Sequence, residues 1–440
     1  MLIKFNHQPL RLGVITAAVA IGGALGIVST SPAVYAAGVT RYVATTGTDA
    51  GDCTSSGSSC ATIQYAVNQA DAGDSIDVAA GTYSEVVNIT KSVALKGAQA
   101  GNDARTRSGA SETILQTPGG QDKTLRIRAA NITVDGFTID GSTGTNSLGF
   151  DFVAPNTNAT IVNNVIKNTK VGVDAIYTDI SGLTVSKNLF DNNNMTDGSN
   201  GVYLANVTGS NIEVSDNTFK DTDNGTVAVA INIQGLSGSP LTDVRVLNNT
   251  STNDGTMIVL IGVHNSEISG NTATNERSTG IVIDQDVVGL QIKNNTLKNS
   301  AFGIRFTNSL RPSDPPSADI TVSDNTISGM SDAGVRIFTD AISGGVTFAG
   351  NTFTGNTVGL DNQGSVAVVA NDNYWGCNEG PGNPGCDSVA GNVTLATWVG
   401  QTVPGVPNTG FASLVPMVVG AVSFVVLLVS GTYILRRVRN

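Results

Sequence analysis

The chain reads as an all-β protein, a single right-handed parallel β-helix with a leader before it and a membrane-crossing helix behind it. Three observations predict this. A short unit ending in asparagine recurs at coil-length spacing, the composition is that of many strands joined by tight turns, and two apolar segments bracket everything else.

The composition sets the frame. Of 440 residues, 51 are glycine and only 13% are Asp, Glu, Lys or Arg. A chain this long needs several cores or a repeat array, and so much glycine beside Asn, Thr, Ser and Val favours the array.

The repeat carries the fold. Val162-Asn163-Asn164-Val165-Ile166 returns as Ser186-Lys187-Asn188-Leu189-Phe190, Ser215-Asp216-Asn217-Thr218-Phe219 and Lys293-Asn294-Asn295-Thr296-Leu297. With Asn249, Asn271, Asn325, Asn351 and Asn373 included, successive spacings are 24, 29, 32, 22, 24, 30, 26 and 22. A coil of parallel strands must bend sharply, and a left-handed residue does so most cheaply as Asn or Gly. Stacked over successive coils, these asparagines should hydrogen-bond in a ladder, with flanking residues such as Ile161 and Val165 pointing inward. About twelve coils at roughly 4.8 Å each predict a rod about 55 Å long over residues 61–397. Ile63, Ala66, Val67 and Ala70 follow helical spacing, which predicts a short helix capping the open first coil.

The ends read as export and anchoring. Lys4 and Arg11 precede or flank the apolar run Leu12 to Val28, and Val34-Tyr35-Ala36 supplies a small residue for cleavage after Ala36. Phe411 to Leu435 holds no charge, long enough for a bilayer, and Arg436, Arg437 and Arg439 follow on the cytoplasmic side. The expected division is 1–36 signal peptide, 37–60 disulfide loop, 61–400 β-helix, 401–410 linker, 411–435 membrane helix and 436–440 basic tail. Five of 24 basic residues fall in the terminal segments, leaving 19 against 35 acids and a net charge of −16 on the displayed part. Such a field excludes nucleic acid as a partner. Cys53 with Cys60 and Cys377 with Cys386 form two close pairs, which in an exported chain predicts two short-loop disulfides rather than zinc ligands.

Thr62-Ile63-Gln64, Ala72-Gly73-Asp74-Ser75-Ile76, Ala80-Gly81-Thr82-Tyr83 and Lys91-Ser92-Val93-Ala94-Leu95-Lys96-Gly97 resemble the opening coil of pectin-lyase-like β-helix proteins. Asn373-Tyr374-Trp375-Gly376, with Cys377, Gly380-Pro381-Gly382 and Cys386, is similar to the closing segment of bacterial β-helix surface proteins. The resemblance covers about residues 40 to 400 and implies fold more than activity, because the superfamily holds lyases, hydrolases, esterases, epimerases, adhesins and tailspikes. Val406-Pro407-Asn408-Thr409-Gly410, ahead of the apolar span and arginines, resembles a sorting signal read by a sortase, with Val406 where the usual pattern has Leu.

In catalytic members of that superfamily the site lies on outward side chains of one sheet. Strands opening with Gly and an apolar residue give Tyr203, Asp284, Arg305 and Arg336 as outward and expected to share one face, with Asp286 two residues beyond Asp284. Asp284, Asp286, Arg305 and Arg336 are the catalytic candidates; Tyr203, Asp284, Arg305 and Arg336 are the ligand-binding ones. Guanidinium forks suit a uronate carboxylate, while charge pairing on a solvated face is the plainer reading. Polygalacturonase-like members carry Gly-His-Gly and Arg-Ile-Lys, and epimerase-like members Asp-Pro-His-Glu; none occurs here. The β-helix family linked to copper delivery for nitrous oxide reductase shares such coils. One mature histidine, His264, is a poor basis for a copper site. No cofactor or metal is therefore expected, calcium at Asp191, Asp197 and Asp216 being the one metal left open. The expected function is a surface-anchored, non-catalytic glycan-binding or structural module. Its expected partners are an extracellular glycan, the membrane and a sortase. The alternative is an enzyme acting on uronate-containing polysaccharide.

Overall fold

The computed structural model describes residues 38–108, 111–191, 198–220 and 228–400. The expected leader, sorting motif, membrane helix and basic tail lie outside these, as does Asp197. Among the described residues no helix is long and apolar enough to cross a membrane.

Among the described residues all paired strands are parallel apart from one isolated bridge, and they form three sheets of 18, 12 and 11 strands. One coil shows the plan. Thr160–Val162 lies in the first sheet, Val165–Lys167 in the second and Val171–Ile176 in the third. Each pairs in register with its counterpart one coil on, Thr184–Ser186, Leu189–Asp191 and Asn200–Val207. The third sheet's 12 strands, at about 4.8 Å each, stack to about 53 Å.

Strand alternation fills the interior. Ile161, Ile166, Val173 and Ala175 are fully buried, and the inward residues of successive coils stack on one another. Phe190 lies over Phe219, and Phe353 over Trp375, each pair with ring centroids 4.6 Å apart. Such offset stacks add to the area they bury.

The asparagine corner splits its work between two residues. Asn164, Asn188, Asn217, Asn249, Asn271, Asn295, Asn325, Asn351 and Asn373 are all buried. Each from Asn164 to Asn351 donates its backbone N–H and its Nδ2 to Oδ1 of the next, at 2.9–3.2 Å. The left-handed residue stands one position earlier: Asn163, Lys187, Asp216, Asn248, Gly270, Asn294, Asp324, Gly350 and Asp372 all have positive φ. The ladder residue cannot make the bend itself, because its side chain must point inward along the stack. Other corners repeat the device, with Asn168, Asn253, Asn275 and Asn299 after the second sheet.

The N-terminus departs from the expected boundary. Thr40–Val43, placed within a disulfide loop by the sequence, is a strand paired parallel with Ser75–Val78. Buried Arg41 holds it there through a 2.9 Å ion pair with Asp74. The capping helix is Ile63–Gln69, with Ile63, Ala66 and Val67 inward. Thr62 Oγ1 accepts from Tyr65 N, and the Glu85 carboxylate accepts from the first-turn N–H groups of Ile63 and Gln64 at 2.8 and 2.9 Å. Cys53–Cys60 and Cys377–Cys386 are bonded, with Cα separations of 5.5 and 5.1 Å.

Candidate functional site

The third sheet presents one column of outward residues. Its register runs Arg126, Asp151, Asp174, Tyr203, Asn232, Val259, Val282, Arg305, Arg336 and Asp361. Pleating puts alternate residues inward, so Val202 and Leu204 enter the core while Tyr203 does not.

Tyr203, Arg305 and Arg336 thus share a column, with Tyr203 and Arg305 four strands, or about 19 Å, apart. The face between them is not continuous. Outward Val259 and Val282 are buried with Val229 and Ile261 in a small apolar cluster outside the core. Asp284, expected beside the arginines, is fully buried. Val282 takes its place in the column, and the segment after the next strand, which runs Phe302–Phe306, folds back over the Asp284 carboxylate. Its Oδ2 accepts from Leu310 N at 3.2 Å. Arg311 continues this strap across two earlier coils, donating to Gly235 O at 2.6 Å and Asn206 Oδ1 at 2.8 Å. Asp286 has positive φ, is buried and meets His264 Nε2 at 2.9 Å. The Asp284–Asp286 pair therefore does not flank an open surface. One residue fastens a loop and the other holds a histidine.

The two arginines differ. Arg336 pairs with Asp332 at 2.9 Å and Asp361 at 3.1 Å. Arg305 has no ion pair among the described residues, and its Nε is buried without a hydrogen-bond partner. Burial pulls this guanidinium down from its ordinary value, with Asp284 opposing. Phe302 lies within 5.8 Å of the Arg305 and 5.3 Å of the Arg336 guanidinium carbon.

At the other end of the column is an open cleft of about 650 Å³ whose lining includes Asp174, Asn200, Tyr203, Asn232 and Lys170. Asp174 is only 7% exposed and makes no hydrogen bond among the described residues. Burial, then the neighbouring Asp151, push its carboxyl up to about 7, with Lys123 opposing. Asp151 itself takes a 3.2 Å ion pair from Arg126. Burial and then Asp174 also raise the Tyr203 phenol. Tyr177, beyond the cleft, combines positive φ with 75% exposure. Asp151, Asp174 and Asn232 escaped the sequence reading, although Gly149-Phe150-Asp151 and Gly172-Val173-Asp174 repeat the Gly-apolar-X pattern that picked out Tyr203.

The family described as Periplasmic copper-binding protein (NosD) matches residues 126–385. No curated protein matches the chain. Among solved structures, a GH136 lacto-N-biosidase from Eubacterium ramulus aligns at 11% identity, covering 81% of this chain and 68% of that one, with a TM-score of 0.54. The polygalacturonase of Erwinia carotovora aligns at 17% identity over 82% and 98%, TM-score 0.51. PfbA, a surface adhesin of Streptococcus pneumoniae, aligns at 14% identity over 76% and 88%, TM-score 0.50. At these identities the shared property is the pectin-lyase-like parallel β-helix.

The described residues do not fit copper. Copper sites are built from imidazole, thiolate or thioether clusters. His264 is the one histidine described, all four cysteines are in disulfides, and Met257 and Met330 lie in the core. The one metal-like grouping among the described residues, Cys377, Glu379 and Cys386, spends both sulfurs in a disulfide. For calcium, Asp216 lies 3.9 Å from Arg105 and Asp197 is outside the described residues.

Proposed function

Because the chain belongs to the NosD family of parallel β-helices, and because its described residues offer no copper site, we propose that its third sheet holds an extracellular glycan. What supports this is the outward column. Tyr203, Asn232 and Asp174 line a cleft, and buried unpartnered polar atoms recur at Asn200 Oδ1 in that cleft and at Arg305 Nε. A parallel sheet repeats side chains at fixed spacing, which suits an extended polymer, while tyrosine suits sugar faces and an unmatched guanidinium suits a carboxylate. The matched Arg336 steadies Arg305 through their common Phe302 rather than offering a second free fork. The fold neighbours include enzymes and an adhesin, so fold alone does not choose between binding and turnover. The lack of known catalytic motifs favours binding without turnover. The Asp151–Asp174 pair favours a second reading, an enzyme.

A glycan array tests the binding claim. Tyr203→Ala should weaken every hit about threefold to tenfold. Arg305→Ala should weaken acidic hits selectively, and binding indifferent to both would show that another face is used.

The segments at the ends complete the proposal. Residues 1–36 export the chain, and 411–435 hold it in a membrane with the β-helix outside until a sortase breaks the Thr409–Gly410 bond and joins Thr409 to the wall. Thr409→Ala should then move the protein from the wall to the membrane fraction, and wild type and variant found alike in the membrane fraction would leave the membrane helix as the sole anchor.

A further inference from the structure

Asp151 and Asp174 face out from adjacent third-sheet strands in direct register. Side chains so placed leave the sheet about 5 Å apart at their bases, within reach of the about 5 Å that separates the two carboxyl groups of retaining glycosidases. Their surroundings divide the two roles. Asp151 is ion-paired to Arg126 at 3.2 Å, which suits a carboxylate nucleophile. Asp174 has no hydrogen-bond partner among the described residues, is 7% exposed and opens on the cleft. A second group points the same way. Asn200, also 7% exposed, lines that cleft and donates Nδ2 to Gly198 O at 3.0 Å, while its Oδ1 is buried and unpartnered. Buried polar groups left unmatched inside an open cleft are what a polar ligand would satisfy. Asn232 and Tyr203, next in the column, lie where flanking sugars would rest.

We propose that this pair hydrolyses a glycosidic bond with retention, in a glycan whose reacting sugar is uncharged. The proposal rests on the reading that the cleft holds a glycan. The Asp151 carboxylate attacks the anomeric carbon while the Asp174 proton passes to the departing glycosidic oxygen. Water then gives a proton to the Asp174 carboxylate and displaces Asp151, so both carboxyls return to their starting states and one water is consumed per bond. A uronate at the reacting position would bring a further carboxylate against the Asp151 carboxylate, so a neutral sugar is favoured there. An acidic sugar can still bind further along, at Arg305, about 24 Å from Asp174.

Asp174 enters the first step protonated, so turnover should fall as pH rises through about 7. The charged and titratable groups around it are Asp151, Asp122, Lys123, Arg126, Lys170 and Tyr203. Of these, Lys123 and Asp122 are paired at 2.7 Å.

The test incubates the full-length protein with xylan, arabinan, galactan and laminarin, following co-sedimentation, reducing ends and the anomer first released. The expected result is release from at least one polysaccharide with the anomer retained, reduced at least a thousandfold by Asp151→Asn and by Asp174→Asn. Unfolding of both variants at pH 5 should show that they remain folded. Release with inversion, or release indifferent to either variant, overturns the proposal. Co-sedimentation without release overturns hydrolysis and leaves the binding reading standing. Neither binding nor release removes both.

Discussion

Replacing Asn271 by Ala probes the device that holds the coils together. Its side chain accepts from Asn249 N at 2.9 Å and Asn249 Nδ2 at 3.1 Å. It donates to Val246 O, Ser269 O and Asn295 Oδ1 at 2.8, 3.1 and 3.0 Å. Alanine removes all five bonds and orphans the buried Asn249 N–H. An orphaned buried group costs about 1–3 kcal/mol, and the other partners, each keeping some bonding, lose a few tenths to about 1 kcal/mol apiece. The sum is about 2–7 kcal/mol, a large share of the roughly 5–15 kcal/mol that holds a typical fold. The neighbouring left-handed residue has a different task, so Asn248→Ala should cost about 1–2 kcal/mol through backbone strain. Urea unfolding followed by circular dichroism reads both. A loss below about 1 kcal/mol for Asn271→Ala, or a larger loss for Asn248→Ala, would refute the division of labour between ladder and bend.

Three further outcomes are expected. Asp174 holds its proton in the folded state up to about 7 while the unfolded chain releases it near 3.8. Folding stability from this group is thus full below pH 3.8 and falls as pH rises to about 7. Asp174→Asn should raise stability at pH 8 by up to about 4 kcal/mol and change it little at pH 4, as thermal unfolding at both pH values would show. Cys53→Ser with Cys60→Ser should cost about 2.5 kcal/mol by loop entropy, read from unfolding of the oxidised wild type against the variant. Asp284→Asn should loosen the strap from Ser309 to Arg311, raising amide hydrogen exchange there while leaving glycan binding intact.

The ladder was legible because its signal is local: one residue type at one corner, repeated at coil-length spacing. Its geometry was one residue out, since spacing alone does not say which of two adjacent residues bends and which stacks. Thr40–Val43 went unseen because four residues holding a buried Arg41 do not look like core; only the Asp74 partner makes that burial tolerable. Alternation placed Asp284 on the outer face and could not foresee its burial under a strap arriving from Ser309 to Arg311. Asp151 and Asp174 lie 23 residues apart in sequence, and their pairing depends on register across coils of unequal length. The Gly-apolar-X pattern marks their orientation without marking their adjacency.

The most direct test of the central claim is calorimetric titration of the strongest array glycan into the wild type and into a Tyr203→Ala, Asn232→Ala variant. If the third-sheet cleft is the binding site, the variant binds at least tenfold more weakly with an unchanged unfolding temperature. Equal affinity of the two proteins would contradict the account.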